Sequence, residues 1–289
     1  MSTGVIIRAV ELGLIFSVLS LGEYITVKVM DSPDLTVDGS FVTGGCTAAM
    51  LTLAGFPNLG LAAAFVAGLL CGCVTAFLQT KMKIQGLLAG ILTMTALYSV
   101  NLRIMQGAPN VSLYAVPKPT ILNNPATVLY VLIAIVALTA LLMYAFFKTN
   151  LGLMLRAAGD NEEMIRSSSV NVDSMKFLGF ALSNGLVALS GALLVQFQKF
   201  ADVTGGTGML VLGLAGIIIG EAVFRRPGGF DHRCDPVPPA VYSGPAAGVP
   251  GHGHEPGQRR ARGSHDFHSA SPETEKETRQ PCLNSRTSA

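Results

Sequence analysis

Charge is scarce in this sequence: Asp, Glu, Lys and Arg supply 13% of the 289 residues, while 50% are hydrophobic. With a mean hydropathy of +0.49, the chain has too little polar surface to coat a soluble globule of its size, and a bilayer is its expected solvent. Histidine is missing from most of the chain, since all five lie between His232 and His268. The apolar part therefore cannot build a histidine-based catalytic pair or metal site, and its carboxylates are scattered, which argues against an intramembrane enzyme. No Gly-x-x-x-x-Gly-Lys-Ser/Thr occurs, so the phosphate-cradling loop of an ATPase is lacking. Gly205-Gly-Thr-Gly208 has no lysine and reads as a tight turn.

No basic patch interleaved with aromatics appears, which excludes nucleic acid as the expected partner. A cleavable leader is not expected either, because the first apolar stretch contains Glu11 and lacks a basic start. The cysteines form no disulfide framework. Cys46, Cys71 and Cys73 lie inside apolar runs, where cysteine packs as a small hydrophobe.

What the sequence does have is uncharged runs, at 39–80, 84–102, 120–147, 177–198 and 203–220. Each reaches the roughly 18–20 residues that cross hydrocarbon. The pattern predicts an all-α polytopic transmembrane bundle, with helices near 5–29, 37–54, 58–80, 84–105, 126–147, 175–198 and 205–223. Small residues crowd these helices, as in Gly60-Leu-Ala-Ala-Ala-Phe-Val-Ala-Gly68, and let backbones approach closely. Between the first two helices, Asp31-Ser-Pro-Asp-Leu-Thr-Val-Asp38-Gly is either an interfacial loop or the entry to a broken helix.

Lys and Arg counts set the orientation. Lys28, Lys81, Lys83, Lys148, Arg156, Arg166, Lys176, Arg225 and Arg226 fall on one side, against Arg8, Arg103, Lys118 and Lys199 on the other. The richer side is expected to be cytoplasmic, with the N-terminus outside. On that side, 148–175 holds the longest polar insertion. Leu151, Met154, Leu155 and Ala158 fall on one helical face there, which predicts a short amphipathic helix at the membrane surface.

Several groups of residues in this framework resemble a known family. They are Gly152-x-x-x-Arg156-Ala157-x-Gly159-x-Asn161, Val170-Asn171-Val-Asp173, and Ala181-Leu-Ser183-Asn184-Gly185 running into Ala188-Leu-Ser-Gly191. Over about 1–230 the chain resembles the permeases of ABC importers for branched-chain amino acids, simple sugars and related solutes. Pro33-Asp-Leu-Thr-Val-Asp38, Leu87 to Tyr98, Asn101-Leu-Arg103 and Ile218-Ile-Gly-Glu221 are similar to a branch linked to amino acids, aromatic ones included. The resemblance implies a coupling segment at Gly152, Arg156, Ala157, Gly159 and Asn161 that docks into an ATPase subunit. It also implies a solute-binding protein and a second permease chain, identical or paralogous. ATP is expected on the partner, with no cofactor in this chain, and the expected location is the bacterial plasma membrane, multi-pass.

Polar groups inside the membrane are candidates for the transport path or for interhelix bonds. They are Glu11, Glu23, Thr93, Thr95, Asn101, Arg103, Ser183, Asn184 and Glu221. Asp38, Asn101, Arg103 and Asn184 are the expected substrate path. A secondary transporter that needs no ATPase is the competing reading, but its inverted repeats with paired broken helices are not evident.

Composition changes near residue 231, where eight of the fifteen prolines and all the histidines gather, and the expectation is a disordered tail over 231–289. His252, His254 and Cys234 have no recognised metal-ligand spacing. The genetic code offers a cause. In the frame starting at the second codon base, every Glu-Thr, Glu-Lys and Lys-Glu junction of Glu273-Thr-Glu-Lys-Glu-Thr278 encodes Lys or Arg. Ser271 to Asn284 can then read Leu-Pro-Lys-Leu-Lys-Lys-Lys-Leu-Gly-Asn-Pro-Ala-stop, the basic end of a membrane protein. A one-base shift near codons 225–231 is expected. The restored chain would have about nine helices, and the chain as it stands is then expected to be a truncated permease that assembles poorly.

Overall fold

In the computed structural model, which describes residues 3–114, 125–161 and 171–224, the chain is a helical bundle. The expected tail over 231–289 lies outside the described residues, as do Lys118, Arg166, Val170, Arg225 and Arg226. All described residues fall in one unit, Met1–Gly229. Helix α1 (Thr3–Tyr24) runs into a π-helical turn (Ile25–Val29), followed by α2 (Thr36–Leu53), α3 (Pro57–Thr80) and α4 (Gly86–Ile104). Then come β1 (Asn110–Ser112), α5 (Pro125–Lys148), the short α6 (Asn150–Asp160), α7 (Val172–Gln198), β2 (Phe200–Asp202) and α8 (Met209–Phe224). The seven expected helices and the short amphipathic one are all there.

Among the described residues, five segments are long and apolar enough to cross a membrane: Gly4–Val29, Pro57–Thr80, Gly86–Ile104, Val128–Lys148 and Val172–Gln198. Outward faces of α3 and α5 carry Val66, Leu70, Phe77, Leu138, Leu141 and Leu142, the surface expected toward lipid. Helix α2 is richer in Thr, Ser and Gly and is not among the five, because protein rather than lipid surrounds it. Thr36, Ser40, Thr43 and Thr52 are all buried.

The bundle is centred on α7, where every residue from Ser183 to Gln196 except Leu189 is buried. Two packed helices, α2 and α3, reach it through glycine. A Cβ on Gly44 would collide with the Ala188 main chain, and one on Gly68 or Gly72 would strike the carbonyls of Asn184 or Phe180. These contacts replace the hydrophobic drive that lipid cannot supply. Asn171 starts α7 by accepting from the Asp173 and Ser174 amides at 3.1 and 3.4 Å, and Asp173 adds charge complementary to the helix N-terminus. Lys199, at φ +56°, ends it. The chain then pairs β2 antiparallel to β1, with Val111 opposite Ala201.

The polar segment after α1 is not a surface loop. Asp31 takes φ +48°, the helix breaks, and Asp34 is fully buried before α2 begins. Of the two sequence readings, the broken helix is the one found. Asp34 and Thr36 are buried at the start of α2, while Asp31 and Pro33 are exposed.

Candidate functional site

Two groups of candidate side chains emerge, one at the end of the bundle bearing α6 and one in its interior. Helix α6 begins at Thr149, whose Oγ1 accepts from the Gly152 amide at 3.4 Å. Leu155 is fully buried, clustered with Ile25 and Val29 of the π turn, Met143 of α5 and Leu186 of α7. The buried face differs from the sequence pattern: Gly152 and Leu155 are buried, whereas Leu151 is 46% exposed. Glycine explains the rotation. A Cβ on Gly152 would strike the Phe146 carbonyl, and one on Gly159 would strike the Val29 carbonyl, so only glycine lets α6 lie this close to α5 and the π turn. Arg156 is exposed, Ala157 is half-buried, and Asn161 ends the helix with its amide bonded to the Ala157 carbonyl at 3.1 Å. Lys28, Lys148 and Arg156 thus share one end of the bundle, about 30 Å along α1 from Arg8.

In the interior, α2, α7 and the break before α2 meet through hydrogen bonds. Asn184 donates from Nδ2 to Asp34 Oδ2 at 2.8 Å and accepts at Oδ1 from the Ser40 hydroxyl at 2.5 Å. Asp34 Oδ1 accepts the Thr36 amide at 2.9 Å, and the Thr36 and Thr75 hydroxyls lie 2.8 Å apart, which brings in α3. A Cβ on Gly90 of α4 would come within 3.3 Å of Asp34 Oδ1. The remaining expected path residues lie elsewhere. Asp38 caps α8, accepting the Gly208 and Leu210 amides at 3.0 and 2.9 Å. Asn101 is buried in α4 with its Oδ1 unpartnered, and Arg103 is exposed near that helix's end. Among the described residues no hydrogen bond joins Asp38, Asn101, Arg103 and Asn184 to one another. Asp34, Thr36, Ser40 and Thr75 were outside the expected path. The signal for Asp34 was its place in a polar insertion between two apolar runs.

Glu11 and Glu23 are both buried. Glu11 accepts from Arg8 at 3.4 Å. Both oxygens of Glu23 lack a partner, and a Cβ on Gly213 of α8 would collide with them. Cys46, Cys71 and Cys73 are free thiols, and Cys46 Sγ lies 3.2 Å from Met105 Sδ. No group of three or more His, Cys, Asp or Glu able to hold a metal occurs among the described residues.

Residues 5–228 match the family described as branched-chain amino acid transport system, permease component. The chain is 42% identical over 222 residues to a protein named tyrosine transport system permease protein from Clostridioides difficile (strain R20291), covering 76% of this chain and 74% of that one. It is 38% identical over 220 residues to an uncharacterized protein of Rickettsia prowazekii (strain Madrid E), covering 76% and 78%. It is 28% identical over 199 residues to the ribose import permease protein RbsC of Escherichia coli (strain K12), covering 65% and 60%. No solved structure matches it. With more than half its length matched and its apolar helices in a multi-pass arrangement, this chain belongs to the branched-chain amino acid transport system permease family, a membrane transport component rather than a catalytic one.

Proposed function

We propose that this chain is the membrane-spanning subunit of an ATP-driven importer in the bacterial plasma membrane, taking up an amino acid with the help of a solute-binding protein. ATP binds and is hydrolysed on a separate ATPase, and two such bundles, identical or paralogous, enclose the path. The observation that carries this reading is α6: an amphipathic helix whose glycines clamp it to the π turn and α5 while Arg156 is left outside. A helix fixed on one face and charged on the other suits a docking surface that must move as one piece with the bundle. Gly152 and Gly159 hold it to the bundle, and Arg156, Ala157 and Asn161 face or flank the ATPase. An amino acid is favoured over a sugar because the more similar named relative is a tyrosine permease and the less similar one a ribose permease. Asn184, with the hydrogen-bonded groups around it, is the interior group assigned to the path, and Asp38, Asn101 and Arg103 are assigned to the same path at separate positions.

Arg156→Glu tests the docking assignment. In the frame-restored chain assembled with its ATPase and binding protein, the variant should remain in the membrane while tyrosine uptake falls about tenfold or more, the equivalent of 1.4 kcal/mol of lost docking. Uptake at the unsubstituted rate would defeat the assignment.

A further inference from the structure

The π turn Ile25–Val29 stands where α1, α6, α7 and α8 come together. Its wide spacing shows in the hydrogen bond from the Met30 amide to the Ile25 carbonyl, five residues back, at 3.0 Å, and the turn ends where the Ser32 amide bonds the Thr26 carbonyl at 2.9 Å beside Asp31 at φ +48°. A π turn holds one residue more than the α-helical turn it replaces. Passing between the two forms shifts the following chain by about 1.5 Å along the axis and about 100° around it. A segment able to pass between two such discrete arrangements would meet what transmission between distant sites requires.

Its contacts point the same way. The Val29 carbonyl occupies the space a Cβ on Gly159 of α6 would need, and Ile25 and Val29 pack in one buried cluster with Leu155. Met30, the next residue, lies with its sulfur where a Cβ on Gly179 of α7 would go. Lys28 extends toward α8, its Nζ 2.8 Å from Glu221 Oε1 and 2.9 Å from Oε2. The turn therefore touches the docking helix through main chain and apolar side chains, and touches α8 through a pair of charges far apart in sequence.

We propose that the π turn is the positioning element for coupling, passing displacement of α6 to α1 and, through Lys28 and Glu221, to α8. Lys28 is a positioning residue. The inference rests on α6 being the docking helix. The Lys28 and Glu221 side chains are 41% and 48% exposed, so exchanging their charges does not disturb the core.

The experiment compares Lys28→Glu, Glu221→Lys and the double exchange with the unsubstituted chain, each in the frame-restored form and assembled with its ATPase and binding protein in lipid vesicles. Three quantities are read: co-purification of the ATPase, ATP hydrolysis, and tyrosine taken up per ATP hydrolysed. Co-purification reads the docking assignment alone. Each single substitution should leave the ATPase bound and lower hydrolysis or uptake per ATP by about 2- to 30-fold, the span seen when residues that carry coupling are altered. The double exchange should recover most of the loss. Where a single variant fails to assemble, recovery by the exchange still decides in favour. Single variants that hydrolyse and transport like the unsubstituted complex, or an exchange that fails to restore what either single change lost, overturn the role of the turn while leaving docking intact. Loss of ATPase binding by Arg156→Glu with no effect of the charge exchange gives that second outcome directly.

Discussion

Replacing Asn184 by Leu, a side chain of similar size without polar atoms, should destabilise the bundle by several kcal/mol. The substitution removes two bonds between elements, to Asp34 at 2.8 Å and from Ser40 at 2.5 Å, together with a 3.0 Å bond to the Phe180 carbonyl within α7. Interhelix hydrogen bonds in membranes average about 0.6 kcal/mol each, so the direct loss is about 1.2 kcal/mol. Asp34 is fully buried and keeps Thr36 as a partner, but its Oδ2 loses the Asn184 amide. An orphaned buried acceptor costs about 1–3 kcal/mol, which brings the total to about 2–4 kcal/mol. Asn184→Asp is a harsher change, because it places a second carboxyl against the first. Thermal unfolding of the purified chain in detergent, followed by size-exclusion chromatography, should show a midpoint lowered by about 4–16 °C at about 2–4 °C per kcal/mol. A double-mutant cycle with Asp34→Leu isolates the pair, since that variant removes the orphaned carboxyl and should regain part of the stability lost in Asn184→Leu. Additive effects, or a midpoint unchanged by Asn184→Leu, would refute the idea that this contact closes the broken helix onto α7.

Asp38→Ala should uncap α8 and cost about 1 kcal/mol, with Asp38→Asn recovering most of it; thermal midpoints of the two variants check this. Gly44→Val should separate α2 from α7 at Ala188 and lower the yield of folded protein in membranes more than Gly4→Val, because nothing lies within 4 Å of a Cβ on Gly4. Thr149→Ala, which removes the α6 cap, should cost about 0.5–2 kcal/mol locally and appear as faster amide exchange over 150–155. Resequencing the gene around codons 225–231 should reveal a one-base difference that opens the frame ending in Leu-Pro-Lys-Leu-Lys-Lys-Lys-Leu-Gly-Asn-Pro-Ala. Uptake by the 289-residue product as written, with its ATPase, would show that the tail belongs to a working chain.

The elements were legible in the sequence because lipid imposes a length and an absence of charge on each span. Helix α5, with no charge between Pro125 and Phe147, could be read by inspection. The amphipathic α6 was also visible, but its buried face was not. A pattern based on hydrophobicity centres on Leu151 and Met154, and it gives no weight to Gly152 and Gly159, whose value lies in having no side chain where main chain must pass. The π turn was invisible for a related reason. Ile-Thr-Val-Lys-Val is compatible with a continued α-helix, and its contacts with α6 and α8 join elements far apart in the sequence. Asn184 was singled out as a polar residue in a span, yet its partner Asp34 is 150 positions away and no local pattern pairs them. Expected path residues Asp38 and Asn184 therefore have distinct surroundings: one caps a helix and the other closes a break.

The stretch from Ile25 to Ser40 carries a density of long-range contacts that its local composition does not suggest. Within it, Lys28 holds Glu221 of α8, Val29 meets Gly159 of α6, Asp34 and Ser40 hold Asn184 of α7, Thr36 meets Thr75 of α3, and Asp38 caps α8. A force applied at α6 first meets Val29, and from there the chain has little slack, because Asp34 is pinned four residues after Met30. Helix α8 is held at its N-terminus by Asp38 and near its other end by Lys28, so both ends are tied to this one stretch. Motion of the π turn relative to α2 would then tilt α8 rather than translate it, since the two anchors lie on either side of the helix break. Helix α7 makes the opposite contribution. Glycine and main-chain contacts fix it along its buried length, so it is the frame against which the stretch moves. The charge exchange at Lys28 and Glu221 alters one anchor of α8 and leaves the other, at Asp38, in place. A coupling defect without loss of the folded bundle is the outcome that this arrangement of anchors requires.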